Sequence, residues 1–87
     1  MITSSIKLNL QMVVDIKPWL IMNLLGEEFV SLNSSEIKEI DYLFVKTEPV
    51  GTIIFNKELA RLYREDERFY LLFENGMCYG VSVNDEQ

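Results

Sequence analysis

The dipeptide Asn75-Gly76 stands between two apolar runs, Phe69-Tyr70-Leu71-Leu72-Phe73 and Met77-Cys78-Tyr79-Gly80-Val81-Ser82-Val83. Asn-Gly tolerates positive φ at both central positions of a two-residue connection, so this segment predicts a β-hairpin closed by a type I′ turn. An isolated hairpin is only marginally stable, and the rest of the chain must supply more sheet or a helix to cover it.

Upstream, Ile6, Leu8, Leu10 and Met12 alternate with Lys7, Asn9 and Gln11, the period of a half-buried strand that Val13, Val14 and Ile16 extend. Pro18 interrupts it. The run Trp19 to Leu25 has two readings. It is either a short buried helix opened by Pro18 and closed by Gly26, or a buried strand that turns at Gly26-Glu27 into Phe29-Val30-Ser31-Leu32. Its shortness favours the strand pair. Asn33 followed by Glu36 has capping-box spacing, which predicts one helical turn with Ile37 and Ile40 directed inward. A strand is expected next, over Asp41 to Lys46. Glu48-Pro49-Val50-Gly51 is turn chemistry, and Thr52 to Phe55 reads as another strand. Asn56 then predicts the cap of a helix over about 57–66, with Leu59, Leu62 and Tyr63 as its buried stripe. Asn84 to Gln87 are expected to fray.

Together these segments predict a single domain over residues 1–87 of α+β class. It is a mostly antiparallel, twisted or barrel-like sheet of about five to seven strands, with one helix packed on it and a C-terminal hairpin; short connections dictate antiparallel pairing. The core material is sufficient: 48% of the 87 residues are apolar, and five Phe, four Tyr and one Trp are present. A single cysteine, Cys78, rules out an intramolecular disulfide, and small domains in oxidising compartments usually carry several. With no basic-then-apolar leader at Met1–Ser5 and no long apolar run, the expected location is the cytoplasm, with no membrane contact.

Chemistry is more sparsely provided. The chain has no histidine, which removes the commonest general base and metal ligand and excludes Ser-His and Cys-His nucleophiles. Cys78 alone makes no ordinary zinc site and reads as a small core hydrophobe. The four glycines are scattered, so no phosphate-cradling loop is present, and no calcium-loop spacing occurs. Catalytic residues, a metal and a cofactor are therefore not expected, and the chain is read as a non-enzyme.

Charge is the remaining signal. The net charge of −6 concentrates in residues 27–48, where six acidic side chains face only Lys38 and Lys46, and in the tail. Glu27, Glu28, Glu36, Glu39 and Asp41 are the candidate partner-binding residues, suited to a lysine- and arginine-rich surface of another protein. The competing reading is a charged surface that keeps the domain dissolved. Lys57, Arg61, Arg64 and Arg68 would form one stripe on the expected helix and could grip phosphates, but Glu58, Glu65, Asp66 and Glu67 interleave them, with Arg61 and Glu65 expected as an i,i+4 pair. Phe69, Tyr70, Phe73 and Tyr79 could stack on bases, yet the acidic surroundings favour core packing.

Leu25-Gly26-Glu27-Glu28-Phe29, Leu32-Asn33, Ile37-x-x-Ile40-Asp41 and Asn75-Gly76 resemble the pattern of small flagellar-operon proteins of the FlbD type. The strand before residue 18 and the helix near 57–66 have no place in that pattern, and no function is transferred from it. The expected function is that of a small regulatory or inhibitory module, of bacterial or phage type, that binds a protein partner through its acidic segment. The alternatives are an assembly protein that homo-oligomerises through a sheet edge and, behind it, a nucleic-acid binder using the basic stripe.

Overall fold

The computed structural model describes residues 4–83. The expected frayed end at Asn84 to Gln87 lies outside the described residues. Seven strands form one antiparallel sheet: β1 (Ser5–Lys7), β2 (Val13–Val14), β3 (Glu28–Ser31), β4 (Gly51–Phe55), β5 (Glu58–Glu65), β6 (Arg68–Phe73) and β7 (Cys78–Ser82). Their spatial order is β1-β3-β7-β6-β5-β4-β2, and the sheet curls into a half-barrel. Two helices complete the α+β fold, α1 (Pro18–Leu24) and α2 (Ser34–Lys46).

The two edge strands are consecutive in the chain. β1 and β2 are joined through Leu8 and a single 3-10 turn at Leu10–Met12, so the N-terminal segment links opposite edges of the sheet. Leu8 is buried and its N–H donates to Glu27 O at 3.1 Å. The expected continuous strand is thus broken in two, and Leu10, assigned to its inward side, is instead exposed.

Pro18–Leu24 is helix and Leu25 its C-cap, not the favoured strand pair. Pro18 occupies the first turn, where its missing N–H costs nothing. Leu20 and Leu24, one helical turn apart, are both fully buried. Gly26 follows at φ 84°, the left-handed position that commonly ends a helix. The concave core contains these two leucines with Leu8, Phe29, Ile53, Leu62, Phe69 and Leu71.

The opposite face of the sheet is covered by α2. The capping box forms as expected: Asn33 Oδ1 accepts from the Glu36 N–H at 2.9 Å, and Glu36 Oε1 accepts from the Asn33 N–H at 3.0 Å. The helix does not stop after one turn, however, and the strand expected over Asp41 to Lys46 is its continuation. Ile37, Ile40, Leu43 and Phe44 hold a helical period and pack on Tyr63, Tyr70 and Cys78. The Phe44 ring lies 4.8 Å from that of Tyr63 and 6.3 Å from that of Tyr70.

The helix expected over about 57–66 is also overturned: Glu58–Glu65 is β5, paired with β4 on one side and β6 on the other. Because this strand is covered on both faces, its sequence has no polar alternation. Ala60 and Leu62 enter the concave core while Tyr63 meets α2, and the resulting run of apolar residues mimics helical spacing. Asn56 caps nothing. With Lys57 it forms the β4–β5 connection at φ 51° and 67°, positive at both positions as a type I′ turn demands. The Asn75-Gly76 hairpin is present, but its turn differs from the expected one: only Gly76 has positive φ, and the Gly76 N–H donates to Phe73 O at 3.0 Å.

Candidate functional site

The five acidic candidates occupy separate parts of this frame. Glu27 is a partly buried loop residue whose N–H donates to Leu24 O at 2.9 Å. Glu28 opens β3 opposite Lys7, and its Oε2 accepts from Ser5 Oγ at 2.9 Å. Glu36, Glu39 and Asp41 all lie on α2. At about 100° per residue, Glu36 and Glu39 are about 60° apart around the helix, whereas Asp41 is about 160° from Glu39. Glu36 is also occupied by its own cap. The structure therefore brings Glu36 and Glu39 together and leaves Asp41 on another face.

The basic stripe does not exist as expected, because its helix is a strand. Lys57 is in a turn. Arg61 and Arg64 are an odd number of residues apart on β5 and so project from opposite faces. Arg64 shares the concave face with its cross-strand partner Phe69 and stands 5.1 Å from the ring centroid of Trp19 and 5.4 Å from that of Phe69. Arg68 lies over Tyr70 at 6.0 Å. The expected Arg61–Glu65 helical pair is likewise absent; Glu65 instead accepts a hydrogen bond from the Tyr42 hydroxyl and faces Arg68 across the ladder. Arg64 and Arg68 do share one open hollow, but Asp66 and Glu67 line it too.

The four aromatics weighed as a stacking platform, Phe69, Tyr70, Phe73 and Tyr79, are all buried, which is the packing role the acidic surroundings favoured. Cys78 is buried as well, and loss of solvation pushes its thiol up to about 12, so it is a protonated core side chain and a poor nucleophile. Among the described residues, no group of three acidic or cysteine side chains could hold a metal, and no helix is long and apolar enough to cross a membrane.

What the fold does gather is an apolar surface on α1. Trp19, Met22 and Leu25 recur every three residues and are 46%, 75% and 56% exposed. Leu10, 49% exposed, adjoins Leu25 across a shallow apolar depression that Ile21 also lines. The segment from Pro18 to Gly26 contains no charged residue. Arg64 holds the indole of Trp19 from below, so the largest side chain of the stripe is anchored while nearly half of it faces solvent. Sequence reasoning missed this surface because a buried strand hides both of its faces. The signal was present in the three-residue spacing of Trp19, Met22 and Leu25 between Pro18 and Gly26.

Comparison of the chain with protein families, with characterised proteins and with solved structures finds no match.

Proposed function

We propose that the protein is a small non-enzymatic binding module that regulates or inhibits a protein partner, and that the partner seats the apolar stripe of α1. The observation that carries this reading is the exposure of Trp19 and Met22 on α1 and of Leu25 at its C-cap, in a segment without charge. Exposed, contiguous apolar surface of this kind is the usual mark of a contact site, and Trp and Met are enriched in such sites. The helix is rigidly placed, because Leu20 and Leu24 anchor it in the core. Glu27, in the loop that ends the helix, supplies an acidic side chain at its edge. A partner with an apolar groove bordered by Lys and Arg is complementary to both. With a net charge of −6, two copies of this chain repel one another, which favours a basic partner over self-association. Both edge strands are very short and present few unpaired backbone groups, so assembly through a sheet edge has little to build on.

The test begins with identification of what the tagged protein retains from its host, followed by affinity measurements on the purified pair. Met22→Glu with Leu25→Glu should weaken binding at least about thirtyfold, as loss of central contacts does. Glu27→Lys should chiefly slow association and reduce its salt dependence. Unchanged affinity in a folded Met22→Glu, Leu25→Glu variant would sink the proposal. So would a dimer of the chain alone that this variant dissolves, since the stripe would then belong to a second copy.

A further inference from the structure

We propose that the open end of the half-barrel binds an alkylammonium group, such as the head of a lysine side chain or a small aliphatic amine. The site is independent of the α1 stripe and extends beyond the function proposed above. It is a hollow of about 170 Å³ whose floor and walls include Phe55, Phe73 and Tyr79, with Glu58, Asn75 and Met77 among the remaining lining.

The register creates this combination. Phe55 and Glu58 are cross-strand partners flanking the Asn56-Lys57 turn, so both side chains project from the concave face. On the same face of β5, Ala60 and Leu62 are fully buried. Glu58 thus places a carboxylate at a position that further along the strand belongs to the core. Phe73 faces the same side through its partner Ala60. Tyr79 meets the Phe73 ring edge-on, with centroids 5.7 Å apart and planes at 73°.

The carboxylate is positioned. Asn75 Nδ2 donates to Glu58 Oε1 at 3.2 Å, and Asn75 is itself fixed by its Oδ1, which accepts from the Met77 N–H at 2.9 Å. One amide donor uses one of about four acceptor sites on a carboxylate, so Glu58 retains capacity for a cation. Among the described residues, no basic side chain lines the hollow. Aromatic rings attract a cation through their quadrupoles, and an adjoining carboxylate adds direct ion pairing. A neutral molecule of the same shape gains neither, and an anion is repelled. The small volume suits the head of an amine with its stem leading out to solvent.

The experiment is an NMR titration of the full chain at constant ionic strength with three probes: tetramethylammonium chloride, Nα-acetyl-lysine methylamide and, as neutral isostere, tert-butanol. Saturable shifts are expected at Phe55, Glu58, Phe73, Met77 and Tyr79 with both cations and none with tert-butanol. Glu58→Gln should weaken cation binding about tenfold. Phe55→Leu, which keeps an apolar wall but removes a ring, should weaken it severalfold. Tighter binding of the lysine amide assigns the site to a protein side chain, and tighter binding of tetramethylammonium assigns it to a free amine. Equal response to tert-butanol, absence of saturable shifts with either cation, or undiminished affinity in both variants overturns the proposal.

Discussion

The guanidinium of Arg64 lies 5.1 Å from the ring centroid of Trp19, joining the end of β5 to the first turn of α1. It is also 5.4 Å from Phe69, and its Nε donates to Asp66 O at 2.9 Å, so the cation is held from strand, turn and helix. Trp19 is the single tryptophan, which makes this contact directly readable. Arg64→Ala should raise the mobility of the indole, lower its fluorescence anisotropy and shift its emission to the red. The stability cost should be about 0.5–1 kcal/mol, the range for a partly exposed cation–π contact. Identical emission and anisotropy in the variant would show that the contact does not position Trp19.

Gly51 faces the concave core opposite Leu62, and a Cβ there would come within 2.6 Å of Ile16 Cγ1, 3.0 Å of Asp15 O and 3.1 Å of Ile16 Cα. Two of those three atoms belong to backbone, and Asp15 is itself at φ 60°, so the neighbouring segment has little room to retreat. Gly51→Ala should destabilise by about 1–3 kcal/mol, the usual range for overpacking. That corresponds to a fall in melting temperature of about 4–8 °C per kcal/mol in a domain of this size. A melting temperature equal to that of the parent would mean that residues 15–16 can move away freely.

Lys57 adopts φ 67° in the β4–β5 turn, a conformation that costs a non-glycine residue roughly 1 kcal/mol. Lys57→Gly converts the connection to Asn-Gly and should stabilise the fold by up to about 1 kcal/mol, offset in part by greater freedom of the unfolded chain. Lys57→Val should destabilise it, because a β-branched residue is least tolerant of positive φ. The pair of variants is read by urea denaturation, and the expected order of midpoints is Gly, then Lys, then Val. The reverse order would contradict the turn geometry.

That turn also shows where the sequence was legible. Asn75-Gly76 announced its hairpin because glycine next to asparagine admits left-handed backbone on any scaffold. Asn56-Lys57 carried the actual type I′ turn and could not be recognised, since lysine has no such preference and tertiary pairing imposes the conformation. The strand-versus-helix errors share a cause. β5 is packed on both sides, by the concave core and by α2, so Leu59, Leu62 and Tyr63 reproduce helical spacing by coincidence. In α2, Tyr42-Leu43-Phe44-Val45 looked like a buried strand, although Tyr42 and Val45 are exposed and only Leu43 and Phe44 contribute to the core. The Asn33–Glu36 capping box was legible because it is local, involving one side chain and backbone groups three residues apart. The α1 stripe follows the same division. Its composition was visible, but its exposure depended on which face of the helix the half-barrel buries.

Alkaline stability should report on the titratable groups beneath and on α2. Desolvation pushes the Cys78 thiol up to about 12 from an ordinary value of 9.0. Tyr70, which contacts the same cluster, is also raised, chiefly by burial. The Tyr42 hydroxyl is raised by its hydrogen bond to Glu65. For each group the native state holds its proton to higher pH than the unfolded chain does. The associated stability is therefore complete below the unfolded value and is lost as pH rises through the native one, since the unfolded state then binds fewer protons. For the thiol this window runs from about 9 to about 12. Urea-unfolding free energy should stay flat toward neutral pH and fall across that window, the buried thiol contributing up to about 1.4 kcal/mol per pH unit. Cys78→Ala should lower stability at neutral pH through lost packing but reduce the alkaline slope, while Tyr42→Phe should reduce the slope without disturbing the core. An alkaline slope in Cys78→Ala as steep as in the parent would show that the thiol ionises no later in the fold than in the open chain, and that α2 does not seal it from water.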